Sequence, residues 1–297
     1  MEGSGWTGRP APGGRHTATD GRALVLGGGG LAGIAWLTGV ICGLAGAGVD
    51  LADADVVIGT SAGATVAAQL TSDVPMATWF ERQVDPALQN EELPPAGLPV
   101  AELFEILLRL VEEFPDAAER RRQVGALALA LATPTVPEAV RLAAVAGRIP
   151  GLTWPERPVA VTAVDAVTGD RRLFDRDSGV DLATAVAASS AVPGVWPPVT
   201  IGGARWVDGG IASSCNADVV AGYGRVLVLA PMPDADLADQ VSLIATSGRV
   251  EVVVPDGASR AAFGANPLDP AVRAPSARAG AAQGRRLSAR VAGLWRA

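Results

Sequence analysis

Two short apolar runs, each cut off by a glycine turn and followed by a helix-forming stretch, constrain the fold of this chain more than any other feature. Residues 22–26 (Arg-Ala-Leu-Val-Leu) read as a buried strand, Gly27 to Gly30 as a turn, and residues 31–47 as a helix. A second unit follows at once, with a strand at 55–58, a turn at 59–63 and a helix at 64–70. Successive strand-turn-helix units bring the chain back to a neighbouring strand in the same direction. They predict an α/β fold on a parallel sheet covered by helices. The apolar stretch from Ala23 to Val49 is long enough to span a bilayer. Its four consecutive glycines argue instead for a strand, a turn and a buried helix.

From Pro75 to about Pro158 the pattern changes to helices punctuated by prolines, read as an insertion or cap without strands. Within it, Val100, Leu103, Phe104, Leu107, Leu110, Val111 and Phe114 recur at helical spacing against Glu102, Glu105, Arg109, Glu112 and Glu113. That helix is amphipathic, and its apolar face is expected to pack on the sheet domain. Strands resume at 159–164, and a turn at Thr168, Gly169 and Asp170 leads to 172–174 as a hairpin, which makes the sheet mixed. Further strands are expected at 204–207, 226–230 and 250–254, with a polar, Arg-rich helix from about 270 to 295. The 297 residues then divide into a loose tail over 1–20 and one domain over 21–297.

The 24 basic residues are all Arg, set against 31 acidic ones for a formal charge of −7. Nucleic acid and anionic bilayers are bound through basic surface, so nucleic acid is excluded as a partner. Any transient contact with a membrane surface has to rest on apolar side chains. Cys42 and Cys215 are far apart and His16 is the only histidine, so neither a zinc site nor a disulfide framework is suggested. The first 20 residues lack the apolar core of a signal peptide, which points to a cytoplasmic protein.

Gly59-Thr60-Ser61-Ala62-Gly63 matches the nucleophile-elbow pattern and lies between a strand and a helix, where that pattern has physical meaning. A serine hydroxyl needs a base. His16 sits in the tail and the chain has no Lys, so a carboxylate is the natural choice. Asp208 follows the strand residues Arg205, Trp206 and Val207 and precedes Gly209 and Gly210. Partial desolvation there would raise its pKa and strengthen it as a base. Gly27 to Gly30 open the first helix, where backbone N–H groups can converge on a negative oxygen. The same turn fits Gly28-x-Gly30-x-x-Gly33, so a dinucleotide-binding protein is the alternative reading. That motif expects an acid at the end of the second strand, whereas Asp53 and Asp55 lie before or at its start.

The glycine turn Gly27 to Gly33, the elbow around Ser61, and Asp208-Gly209-Gly210 together make the chain resemble the patatin-like lipid acyl hydrolases. The segment Ala188 to Gly194 is also similar, and the likeness spans about residues 22–220. The resemblance implies a three-layer α/β/α fold with a mainly parallel central sheet and the 75–158 segment as a helical cap. It implies Ser61 as nucleophile, Asp208 as base, and Gly28, Gly29 and Gly30 as donors to the oxyanion, with an acyl ester of a lipid as substrate and no cofactor or metal. An inactive relative that binds lipid through its pocket is a further alternative. Ala32 stands where the family often has a basic residue, which bears on phospholipid preference and raises the question of another Arg in its place.

Overall fold

The structure is a computed structural model that describes residues 20–90, 92–94, 97–131, 136–149, 151 and 153–296. The tail expected at 1–20, except Asp20, and His16 within it lie outside the described residues. The first apolar run forms β1 (Arg22–Leu26), the glycines open α1 (Gly30–Gly46), and the second unit forms β2 (Val56–Thr60) and α2 (Ala62–Leu70). The middle segment gives α3 (Met76–Val84), α4 (Val100–Glu113), α5 (Ala117–Ala130) and α6 (Glu138–Ala146), with no strand among its described residues before β3. The hairpin is β3 (Val159–Asp165) and β4 (Arg171–Phe174), its turn held by Asp165, whose carboxylate accepts the Val167 and Thr168 N–H groups. Then come α7 (Leu182–Ser189), β5 (Val199–Ile201), β6 (Ala204–Asp208), β7 (Arg225–Leu229), α8 (Leu237–Ala245), β8 (Arg249–Val253), α9 (Gly257–Phe263) and α10 (Arg273–Trp295).

Strands β3, β2, β1, β7 and β8 run parallel in that order, and β4, β6 and β5 add an antiparallel margin. Alternate residues of β1 and β2 enter two separate cores. Leu24, Leu26 and Val57 join α1, α2 and α10 on one face, while Ala23, Val25, Val56 and Ile58 join Tyr223 and Ile244 on the other. Burial on both faces explains why these strands read as continuous apolar runs rather than as alternating ones. The layers are α/β/α, as the resemblance implied.

The C-terminal helix departs from its sequence pattern. Read as polar, α10 is instead the buried partner of α1, with Ala277, Gly280, Ala281, Gly284, Val291 and Leu294 shielded from solvent. Small residues face each other across the pair, and a Cβ at Gly39 or Gly280 would overlap the opposing backbone. The arginines project mainly from the remaining faces, which is why composition alone hides the stripe. No helix among the described residues is long and apolar enough to cross a membrane.

Candidate active site

Ser61 leaves β2 with φ 53° and ψ −111°, a backbone state that side chains rarely adopt and that typically costs about 1–3 kcal/mol. The packing around it holds that state in place. A Cβ at Gly63 would overlap the carbonyl of Leu26 at the end of β1, and one at Gly59 would sit 2.6 Å from Ala64 Cα. The elbow therefore needs both glycines, because α2 is drawn tight against β1 and β2. Ser61 is the N-cap residue of α2, where the helix dipole favours negative charge.

Asp208 reaches Ser61 through the topology of the sheet. Val161 pairs with Phe174 of β4 and Gly59 of β2, while Ala163 pairs with Arg172 of β4 and Asp208 of β6. Strands β2 and β6 thus share the edge of β3 that β4 leaves open, running toward each other. Thr60 stops opposite Thr162 and Asp208 stops opposite Ala163, one residue step, or about 3.3 Å, along β3. The two strand ends meet, and their next side chains meet with them.

The Asp208 carboxylate accepts the Gly210 N–H at 2.7 Å and faces the hydroxyl of Ser61. It is buried, and burial pushes its pKa from the ordinary 3.8 up to about 6, with Gly210, Ser61 and Arg141 pulling partly the other way. Such a carboxylate is ionised at neutral pH yet basic enough to take a proton.

The segment after α7 ties the pair together. Ser61 N–H donates to Ser189 Oγ at 2.9 Å, and Asp208 N–H donates to Ala191 O at 3.0 Å. Behind them lies a buried polar cluster. Thr60 and Thr162 share a 2.8 Å hydroxyl bond, and the two N–H donors of the fully buried Asn216 Nδ2 lie within reach of both, of Gly209 O at 3.2 Å and of Ser213 O at 2.6 Å. Asn216 sits in the left-handed conformation at φ 52°. Its role had no sequence signal beyond proximity to Asp208, whereas Ser189 fell within the segment that resembles the patatin-like enzymes.

The glycine turn lies beside this pair, with a Cβ at Gly28 reaching to 3.5 Å from Ser61 Cβ. The Gly28 N–H donates to Ser214 O at 2.8 Å and is engaged in holding the turn. The N–H groups of Gly29 and Gly30 have no acceptor among the described residues, and Gly30 opens α1. Pro267 and Leu268 close over Gly30, and the Ala32 N–H donates to Pro267 O at 3.0 Å. A cavity of about 40 Å³ remains over Ser61, walled by Gly30, Leu31, Thr65, Arg141, Trp196 and Leu268 among others. The dinucleotide reading fits this arrangement poorly. Asp53 and Asp55 bind Arg22 at the amino end of β1, the opposite end of the strands from the glycine turn. Both cysteines are free.

A serine and a buried carboxylate thus meet at the carboxyl edge of a largely parallel sheet, the serine at a helix N-terminus. The sequence profile of the Patatin-like phospholipase family matches residues 24–221, and the chain belongs to that family. This places it among lipid hydrolases. None of the curated proteins matches its sequence. Among solved structures, VipD from Legionella pneumophila is similar with a TM-score of 0.45 and 13% identity, over 91% of this chain and 67% of VipD. The type III effector protein ExoU is similar with a TM-score of 0.38 and 18% identity, over 91% of this chain and 53% of ExoU, so the chain spans about half of that protein's length.

Proposed function

We propose that this protein hydrolyses acyl esters of lipids through a Ser61–Asp208 dyad and an acyl-enzyme on Ser61. The observation that carries the reading is that the ends of β2 and β6 bring Ser61 against a buried Asp208 carboxylate whose pKa is pushed up to about 6. As Ser61 Oγ attacks the ester carbonyl, Asp208 accepts the hydroxyl proton. The carbonyl oxygen becomes an oxyanion facing the N–H groups of Gly29 and Gly30 and the positive end of α1, while Gly28 fixes the turn through Ser214. Collapse of this intermediate breaks the bond to the alcohol, which leaves with the proton held by Asp208. Water then attacks the acyl-serine, Asp208 takes its proton, and the fatty acid departs as Ser61 recovers its hydrogen.

A fluorophosphonate probe tests this directly, because it phosphonylates an activated serine. Wild-type protein is expected to label and to cleave p-nitrophenyl esters, and Ser61→Ala to do neither. Labelling that persists in Ser61→Ala would overturn the assignment, and binding of acyl lipid without turnover across graded chain lengths would turn the reading to an inactive lipid-binding relative.

A further inference from the structure

The helical insertion brings into the cavity a cation with no bonded carboxylate among the described residues. Arg141, on α6, is 2% exposed, yet its Nε and Nη1 have no hydrogen-bond acceptor among the described residues. Its Nη2 donates to Ser190 Oγ, at a long 3.4 Å, and its guanidinium carbon lies 4.1 Å from the centre of the Trp196 ring. Burying a cation without a bonded carboxylate is expensive, and proteins retain such groups where a ligand completes them. Burial and the nearby Arg148 draw its pKa down to about 9, with Glu92 and Asp208 pulling it back, so the guanidinium remains charged at neutral pH.

Its surroundings do not supply the missing anion. Arg148 lines the same cavity and is paired with Glu92, which also pairs with the buried Arg273 at 3.3 Å. Glu92 is thus taken up by Arg148 and Arg273, and Arg141 feels it, like Asp208, only through space. This patch is positive in a protein of formal charge −7, so its sign is local to the cavity.

We propose that Arg141 is an anion-binding residue of the active-site cavity and that it holds a phosphate group carried by the ester substrate. The proposal rests on the hydrolase reading above and specifies its substrate class. A phosphate offers several charged oxygens around one centre and so supplies Nε and Nη1 together, which a neutral ester, with its carbonyl held at the helix N-terminus, does not. Arg141 and Ser61 line the same cavity, so an anion held by Arg141 lies beside Ser61. Phosphate and scissile ester thus belong to one molecule joined by a short linker, as in a lysophospholipid or phospholipid.

Calorimetric titration of inorganic phosphate and of glycerol 3-phosphate into the Ser61→Ala protein, with and without Arg141→Met, measures the anion site without turnover. Arg141→Met is expected to weaken both by about tenfold to a hundredfold. In parallel, kcat/KM is measured for the wild-type and Arg141→Met proteins on a lysophospholipid and on a monoacylglycerol of the same chain length. The ratio of the two is expected to fall at least about tenfold in Arg141→Met, and less in Arg141→Lys, which keeps the charge but loses the planar fork. Melting temperature separates this role from a structural one, because exchanging an unpaired buried cation for an apolar chain of similar volume is expected to maintain or raise it. Equal losses on both substrates with a lowered melting temperature would overturn the proposal, as would an unchanged ratio, including one accompanied by Arg141-dependent binding of free phosphate. Arg141-dependent binding of glycerol 3-phosphate with no turnover of any ester would uphold the anion site and remove the hydrolase reading instead.

Discussion

Replacing Asp208 by Asn probes the site through stability, so the outcome does not depend on knowing the substrate. In the fold Asp208 is 6% exposed, and burial raises its carboxyl from 3.8 to about 6. The sign follows from proton linkage. A group whose folded pKa is raised contributes fully to stability below its unfolded pKa, and that contribution is lost as pH rises through the folded value. From pH 4 to 6 wild type therefore loses a stabilising contribution, and above about pH 6 it carries an ionised buried carboxylate at a cost of about 3 kcal/mol. Asn has the same shape, can still accept the Gly210 N–H through Oδ1, and carries no charge. A weaker bond to Gly210 and a weaker interaction with Ser61 offset part of the gain, so Asp208→Asn is expected to be more stable than wild type at pH 7 by about 1–3 kcal/mol. That corresponds to a melting temperature about 2–10 °C higher. The difference is expected to shrink toward zero as pH falls from 6 to 4. Differential scanning calorimetry of both proteins in steps from pH 4 to 8 checks this. A variant no more stable than wild type at pH 7, or a difference that is flat between pH 4 and 6, would refute the view of Asp208 as a base held ionised against burial.

Two further outcomes follow from the same geometry. With Asp208 as the base, kcat/KM on a neutral p-nitrophenyl ester is expected to rise tenfold per pH step below an apparent pKa near 6 and to level off above it, measured by initial rates; a limb displaced by more than about two pH steps would point to another base. Gly63→Ala drives a methyl group into the Leu26 carbonyl and is expected to cost about 3 kcal/mol or more in urea unfolding, since backbone on both sides blocks relaxation. Near wild-type stability would show that the elbow can open.

The parts of this fold that were legible in sequence are those set by local chemistry. The bounds of β1 coincide with the predicted 22–26, and β2 runs only two residues past the predicted 58, because glycines end an apolar run abruptly. The hairpin of β3 and β4 was legible from its Thr168-Gly169-Asp170 turn. By contrast, β5 has three residues directly after Pro197 and Pro198, too short to show a period, and α7 is nearly all small apolar residues that mark no face. The partner of α10 could not be read either, since a stripe of Gly and Ala carries little hydrophobic contrast even where it permits the closest approach of two helices.

The sequence by itself determined the chemical inventory: a glycine-flanked serine at a strand-helix turn, no Lys, one His remote in sequence from that serine, and an aspartate at a strand end. Those are statements about residue types and local backbone, which a few neighbouring residues suffice to set. Only the tertiary structure decided how the inventory meets. The head-on approach of β2 and β6 along one edge of β3 places Asp208 against Ser61 across 147 positions of chain, and no local pattern encodes that pairing. Desolvation is likewise a property of everything packed around a group. It turned Asp208 into a carboxylate of pKa about 6, and it left Arg141, one arginine among many in the sequence, as a buried cation facing the cavity over Ser61.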